Sequence, residues 1–352
     1  MPIDKAFLTL SHFAPFSGYV LTLSEVQPLP QCGNGATPPE FNRAPVFDCL
    51  DEFAAKECSR SSEHFYVVDS SPKAAFEAYL YQDNKEGSGK ASSYLKALHW
   101  LHEMLGVEAF GFEDALDLWS MTSVDRLFEL RERVKREQKK GDSSPWVQEG
   151  ISKSYLRDGY CSAALTQLIE FLPRYQHARK ALDLLHAHDG EEAALVDRLA
   201  RIDPVVPDVA VREPGSKDGK DRIREARTRI GQHAFREVIL EIYRNRCCLT
   251  GLDLPAVNRA SHIIGWAESP KTRMDPRNGL CLSATYDAAF DRKLITFDED
   301  FRMVLSKTVR EHVRSDSLRE YFLSKAGTRI ELPPRFRPLE EYLEVHRSSG
   351  EF

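Results

Sequence analysis

The stretch from Asp203 to Asp221 constrains the fold of this chain more than any other. It holds Pro204, Pro207, Pro214, Gly215, Ser216 and Gly219 among charged residues, with little apolar content. Proline interrupts both helices and sheet interiors, and glycine loses the most entropy when ordered in either. The stretch therefore predicts a linker at 203–221 that separates parts of different texture.

Before the linker the texture is helical. Tyr94, Leu95, Leu98, Leu101 and Leu105 recur at helical spacing, with Ser92 or Ser93 as the cap. Leu127, Leu130 and Val134 carry a second helix, whose basic end at 135–140 precedes Gly141. Leu165, Leu168, Ile169 and Leu172 mark a third, which Pro173 is expected to stop. Two more are expected around 177–187 and 190–201. Residues 86–202 thus predict an all-α domain. Residues 1–85 read as a small mixed α/β region of uncertain fold. Phe7–Leu10, Gly18–Leu23 and Phe65–Val68 are strand-like there, Pro28–Pro45 is loop, and Phe47–Ala55 is an amphipathic helix.

After the linker, residues 222–310 open with a long helix, Arg222–Arg246, that turns Ile230, Phe235, Ile239 and Tyr243 inward. Short strands and turns are expected at Cys248–Gly251 and Ala260–Ile264. A helix is expected to open after Asn278-Gly279-Leu280 and to run through Asp287. Lys293–Phe297 and Met303–Leu305 predict a hairpin about Asp298–Asp300. The tail, 311–352, is expected to be extended and then briefly helical. The fold class expected is α+β and multidomain.

Charge is divided along the same lines. The chain carries −6 overall, yet residues 222–310 hold sixteen Lys and Arg against eleven Asp and Glu. A basic segment inside an acidic chain suits a module that binds a polyanion. No apolar run approaches the roughly 18 residues of a membrane span, so no membrane partner is expected. The N-terminus lacks the apolar core of a secretory signal. The seven scattered cysteines fit a reducing, cytoplasmic setting better than a disulfide framework.

Chemistry-bearing residues concentrate in the basic segment, where His262, Asn278 and Asp287 fall within 26 residues. A neutral imidazole such as His262 can take a proton from water as a general base. The amide of Asn278 can orient His262 or the loop carrying it. Asn-Gly is equally a turn signal, and Asn can cap a helix, so both readings stand. Asp287 offers a hard oxygen ligand for a divalent cation, and Asp291, four residues on, shares its helix face as a second candidate. Arg259, Lys271, Arg273 and Arg277 surround the trio and could contact phosphates. Trp266 is expected to pack, His99 and His102 to be ordinary surface histidines, and Cys247-Cys248 to be core.

The ordered set of pieces from about 228 to 305 resembles the HNH endonucleases, a ββα-metal family, and within it a restriction-type subgroup. Gly231–Arg236 with Tyr243 resembles the leading helix, and Cys248–Gly251 the first strand and turn. Ser261-His262-Ile263 with Trp266 resembles the strand that bears the first histidine. Arg273, Asp275-Pro276 and Asn278-Gly279-Leu280 resemble the middle motif, and Phe290-Asp291 with Leu294-Ile295 the closing helix and exit strand. The resemblance implies metal-dependent hydrolysis of DNA with His262 as general base. The chain departs from the pattern in two places. Asp287 stands where the last histidine is usual, which favours Mg or Mn over zinc. Ser261 stands where relatives often carry Asp. The Cys-x-x-Cys knuckles of some relatives are absent, so no structural zinc is expected.

The function expected is a divalent-metal-dependent DNA endonuclease of restriction or anti-phage defence. The N-terminal and helical regions would choose or regulate its target. Two alternatives stay open: a nucleic-acid-binding regulator with a degenerate nuclease fold, and a toxin-like nuclease gated by a partner or ligand at residues 1–85. A homodimer also stays open.

Overall fold

The computed structural model describes residues 71–85, 87–206, 219–312 and 315–352. The strands and helix expected within 1–70 lie outside the described residues, as does most of the linker. Helix α1 (Pro72–Asp83) starts behind Ser71, whose hydroxyl accepts from the Ala74 amide, with proline in the first position. Its Ala75, Phe76 and Leu80 are buried among the helices that follow. Among the described residues, 72–83 therefore pack with the helical part.

Helix α2 (Lys90–Val107) begins behind Gly89, which is left-handed. Ser92 and Ser93 do not cap it, because their hydroxyls donate back to the Gly89 carbonyl. Helix α3 (Val124–Lys140) is capped by Ser123, buries Leu127, Leu130 and Val134, and ends on Gly141. A short α4 (Lys153–Arg157) leads to α5 (Tyr160–His186), and α6 (Glu192–Ala200) follows. Helix α5 runs straight through Pro173, where a stop was expected. An interior proline costs about 3 kcal/mol, but this helix is buried on both sides of it. Leu165, Leu168 and Leu172 sit in the helical core, while Ala178, Ala181 and Leu182 sit in a second core.

The second core is built on α7 (Gly219–Ile242), β1 (Asn258–His262), β2 (Gly279–Ser283) and α8 (Ala284–Asp291). Strands β1 and β2 are antiparallel, with His262 opposite Gly279 and Asn258 opposite Ser283. Where a helix is expected after Leu280, β2 runs extended to Ser283 and α8 opens only at Ala284. Gly279–Leu282 is buried throughout. Gly279 lies so close to α7 that a Cβ there would stand 2.4 Å from Ile239 Cδ1. The expected strand at Cys248–Gly251 is a turn, tied to β2 by Cys248 N donating to the Cys281 carbonyl. Strands β3 (Ile295–Phe297) and β4 (Met303–Leu305) pair as the expected hairpin. Short helices α9 (Lys307–Glu311) and α10 (Asp316–Tyr321) precede α11 (Glu340–Ser348), whose Leu343 is buried in the same core.

This core also takes in Leu195, Leu199 and Ile202, which precede the linker. The two apolar cores meet within α5, between Leu172 and Ala178, and not at 203–221. The linker is a break in texture, but packing crosses it.

Candidate active site

The β1–β2 hairpin is held between α7 and α8, and successive residues of a strand point to opposite faces. His262 ends β1 on the α7 face. Its ring stacks on Phe235, with centroids 3.6 Å apart and planes 17° apart, and meets the edge of Trp266 at 5.6 Å. Its Nε2 is 3.1 Å from the Arg273 carbonyl oxygen. A carbonyl only accepts, so Nε2 carries the proton and Nδ1 keeps the lone pair. Burial pushes the imidazole down to about 4, so it is neutral at physiological pH. A neutral ring of fixed tautomer is the form a general base requires.

Ser261, one residue earlier, points to α8. Its hydroxyl donates to Asp287 Oδ1 at 2.6 Å. Asp287 is half-buried, and Asp291 lies one turn farther along α8. Burial, and then the charge of Asp287, raise the pKa of Asp291. The structure thus brings Asp287 to Ser261 on one face of β1 and His262 to Phe235 on the other.

Asn278 is fully buried and holds the loop after β1. Its Oδ1 accepts from the Ile264 amide at 2.8 Å, and its Nδ2 donates to the carbonyls of Ile264 at 3.0 Å and Thr272 at 3.1 Å. The Ile263 amide donates to its carbonyl at 3.0 Å. It orients the loop that carries Arg273, whose carbonyl in turn fixes His262. It does not cap a helix, since β2 follows it.

The basic residues divide in the same way. Arg277 is committed to the buried Asp275, with Nε and Nη2 at 3.0 and 2.9 Å from its two carboxylate oxygens. Tyr342 of α11 donates to the same carboxylate at 3.0 Å. Arg259 folds back onto the carbonyls of Ala256 and Asn258. Arg273 donates from Nε to the Trp266 carbonyl at 2.7 Å and lies over its ring. Lys271 is exposed on the loop.

The structural roles of several residues are not visible in the sequence. Asn258 is fully buried and donates from Nδ2 to the carbonyls of Asn245 and Leu252, both at 2.8 Å. Arg236 ties α7 to the Asn258 and Pro255 carbonyls. Gly231 lets Trp266 close on α7, where a Cβ would stand 2.6 Å from its ring. His346 of α11 stacks on Phe290 at 3.7 Å. The Asn and Gly identities gave a local turn signal at most. Their roles depend on neighbours distant in sequence. Cys247, Cys248 and Cys281 are buried free thiols.

Among the described residues no group of three or more His, Cys, Asp or Glu side chains is placed to hold a metal ion. Mg²⁺ is commonly held through one or two carboxylates, with water and substrate phosphate completing its shell. The donor set on α8 has that chemistry: two carboxylates one helical turn apart, Asp287 half-buried and Asp291 exposed.

Comparison with known proteins bears on this same segment. Residues 247–298 match the model of the HNH endonuclease family. They span the turn at Cys248, both strands of the hairpin, α8 and β3. The C-terminal part of the chain thus contains a segment similar to the HNH endonuclease domain. No curated protein matches the chain. Among the described residues no helix is long and apolar enough to cross a membrane.

Proposed function

We propose that this protein is a divalent-metal-dependent endonuclease that hydrolyses DNA phosphodiester bonds. The observation that carries the reading is His262. It is a half-buried, neutral histidine at the end of β1 in the HNH segment, with its tautomer set by the Arg273 carbonyl. Its Nδ1 would take the proton of the attacking water. Asp287, with Asp291, would hold the cation, and Mg or Mn suits their hard oxygens. When bound, that ion would offset charge developing on the phosphate. Asn278 acts as a positioning residue through the loop it clamps. Lys271 and Arg273 stand on that loop as candidate phosphate contacts, whereas Arg277 serves Asp275 instead.

The helical part would choose or regulate the target. Support comes from α5 and α6, whose apolar residues pack in the nuclease core. A restriction or anti-phage role rests on the resemblance of the segment to restriction-type relatives. A cytoplasmic location fits the free buried thiols.

One observation favours a second reading, a DNA-binding protein without cleavage. Asp287 already spends one oxygen on Ser261, and no histidine stands at that position. Incubating the full chain with plain and base-modified plasmid across Mg²⁺, Mn²⁺, Ni²⁺ and Zn²⁺ separates the two. Nicking with Mg²⁺ or Mn²⁺ that His262→Ala lowers by about 10²-fold or more supports the enzyme. Binding without cleavage under every metal supports the second reading.

A further inference from the structure

A cavity of about 540 Å³ opens between the end of α6, the start of α7 and the loop at 266–274. That volume is in the range of sites for small organic ligands. Its lining is strongly cationic. Arg201, Lys220, Arg224, Arg227 and Arg273 contribute to it, against Asp203. Asp203 reaches Arg227 at 3.7 Å, and Asp221 pairs with Arg224 at 3.1 Å, so the surplus is positive.

The walls carry a second signal. His177 of α5 is 6% exposed, and Trp266 also lines the cavity. Each keeps a buried ring nitrogen, His177 Nε2 and Trp266 Nε1, with no hydrogen-bond partner among the described residues. Buried polar atoms without partners are uncommon in proteins and point to a missing ligand or water. Ile202, Ile223 and Met274 supply apolar wall beside them. A simple anion would meet the rim and leave both ring nitrogens unused. A ligand with a phosphate and a planar heterocycle would use both halves, because the indole N–H needs an acceptor and neutral imidazole can donate or accept.

We propose that this cavity binds a phosphorylated nucleoside, with its phosphate on the Arg201–Arg224 rim and its base against Trp266 and His177. The nucleotide could be free or an unstacked nucleotide of the substrate strand, and the proposal rests on the nuclease reading only for the second source. Occupancy would be felt at His262. Trp266 meets the His262 ring, and Arg273, on the same wall, supplies the carbonyl that fixes it.

The test is calorimetric titration of the full chain with the four nucleoside monophosphates, with a mixed-sequence single-stranded oligonucleotide, and with inorganic phosphate. A monophosphate or the oligonucleotide should bind at least tenfold tighter than phosphate. Binding of free monophosphate identifies a soluble ligand, and binding of the oligonucleotide alone identifies the substrate strand. The double variant Arg201→Ala, Arg224→Ala should weaken that binding at least tenfold, with an unchanged circular dichroism spectrum. His177→Leu should weaken it while leaving the melting temperature unchanged or higher, since it removes an unpartnered polar atom. Asp287→Ala, on the opposite face of β1, should lower cleavage yet keep binding, so failure of the nuclease reading leaves this result readable. Equal binding of phosphate, unchanged binding by the variants, or no binding of any nucleotide probe overturns the proposal.

Discussion

The Ser261 hydroxyl donates to Asp287 Oδ1 across 2.6 Å, joining the penultimate residue of β1 to the first turn of α8. The two positions at which the sequence departs from the HNH pattern it resembles are therefore in contact. Replacing Ser261 by Asp should set a second carboxylate beside Asp287. If Asp287 holds the cation, Ser261→Asp should tighten Mn²⁺ binding by about tenfold or more, because site charge sets affinity for hard cations. Asp287→Ala should remove most of that binding. Titration followed by Mn²⁺ paramagnetic resonance reads this without any cleavage assay. Equal Mn²⁺ affinity in all three proteins would take Asp287 out of the metal site.

His262 is both a packed ring and the proposed base, so its substitution has two readouts. His262→Ala leaves a gap beside Phe235 and should cost roughly 1–3 kcal/mol of stability, the scale of lost aromatic contact and burial. His262→Gln refills part of the space and should recover some stability. Both should lose at least about 10²-fold in cleavage rate. Urea unfolding alongside plasmid nicking separates the effects. Cleavage that returned together with stability in the glutamine variant would make the residue structural.

Asn278 anchors three loop hydrogen bonds through its side chain. Asn278→Ala leaves the Ile264 amide and carbonyl without this partner. It should cost roughly 2–4 kcal/mol, at about 1 kcal/mol per bond plus desolvation. Because the Arg273 carbonyl rides on the same loop, cleavage should fall even at temperatures where the variant remains folded. Asn278→Asp keeps the acceptor toward Ile264 N but loses both donors, and should fall between the two. Full activity in folded Asn278→Ala would dissociate the loop from the base.

What the sequence made legible and what it hid follow from the range of the interactions. Periodic helices such as α2 and α3, and the β3–β4 hairpin, are local and were readable from spacing. The identity of residues 247–298 was readable because an ordered motif set is improbable by chance. Cys281–Ser283 reads as helix in the sequence because a short buried run has no period of its own, and the strand is set by the approach of Phe235 and Ile239 to Gly279. Pro173 was misread as a stop because its local penalty is outweighed by burial in two cores formed by distant residues. The fourfold basic surround was read as phosphate contacts. Arg277 shows the limit of that reading, since only the fold reveals the buried Asp275 beside it.

Three histidines, His177 and His346 buried and His262 half-buried, contribute to the acid sensitivity of the fold. Burial pushes His177, His262 and His346 each down to about 4. In the unfolded chain they titrate near 6.5. Between these values the unfolded state binds more protons at these three sites, so the stability they contribute is full above about pH 6.5 and falls as pH drops toward 4. His346 is the cleanest probe, since it stacks on Phe290 away from the proposed base and is 1% exposed. His346→Phe removes one titrating group and should flatten the loss of stability between pH 6.5 and 4, by on the order of 1–3 kcal/mol across the window. Its cost at pH 7 comes from losing the contacts to Thr296 and the Phe290 carbonyl. Urea midpoints at half-unit pH steps measure both. An unchanged slope would show that His346 titrates normally in the folded protein.

The division of the chain can be tested by cutting it. The linker at 203–221 invites a nuclease fragment starting near Asp221. Such a fragment would lose Ala178, Ala181, Leu182, Leu195, Leu199 and Ile202 from the second core. It would also strip the α7 face they cover, exposing an apolar patch of the kind that drives association. It should therefore be destabilised by several kcal/mol and prone to aggregate, at about 1.5–3 kcal/mol for each large side chain unburied. A fragment starting at Tyr160 keeps those residues and should be more stable, although the first half of α5 would then bare Leu165 and Leu168 to water. Substituting those two with glutamine should restore solubility, because helix propensity is kept while the exposed apolar face is removed. Denaturant midpoints and light scattering for the three fragments decide the point. If the fragment from Asp221 is as stable and monodisperse as the longer ones, the shared core contributes nothing and the linker is a true domain boundary.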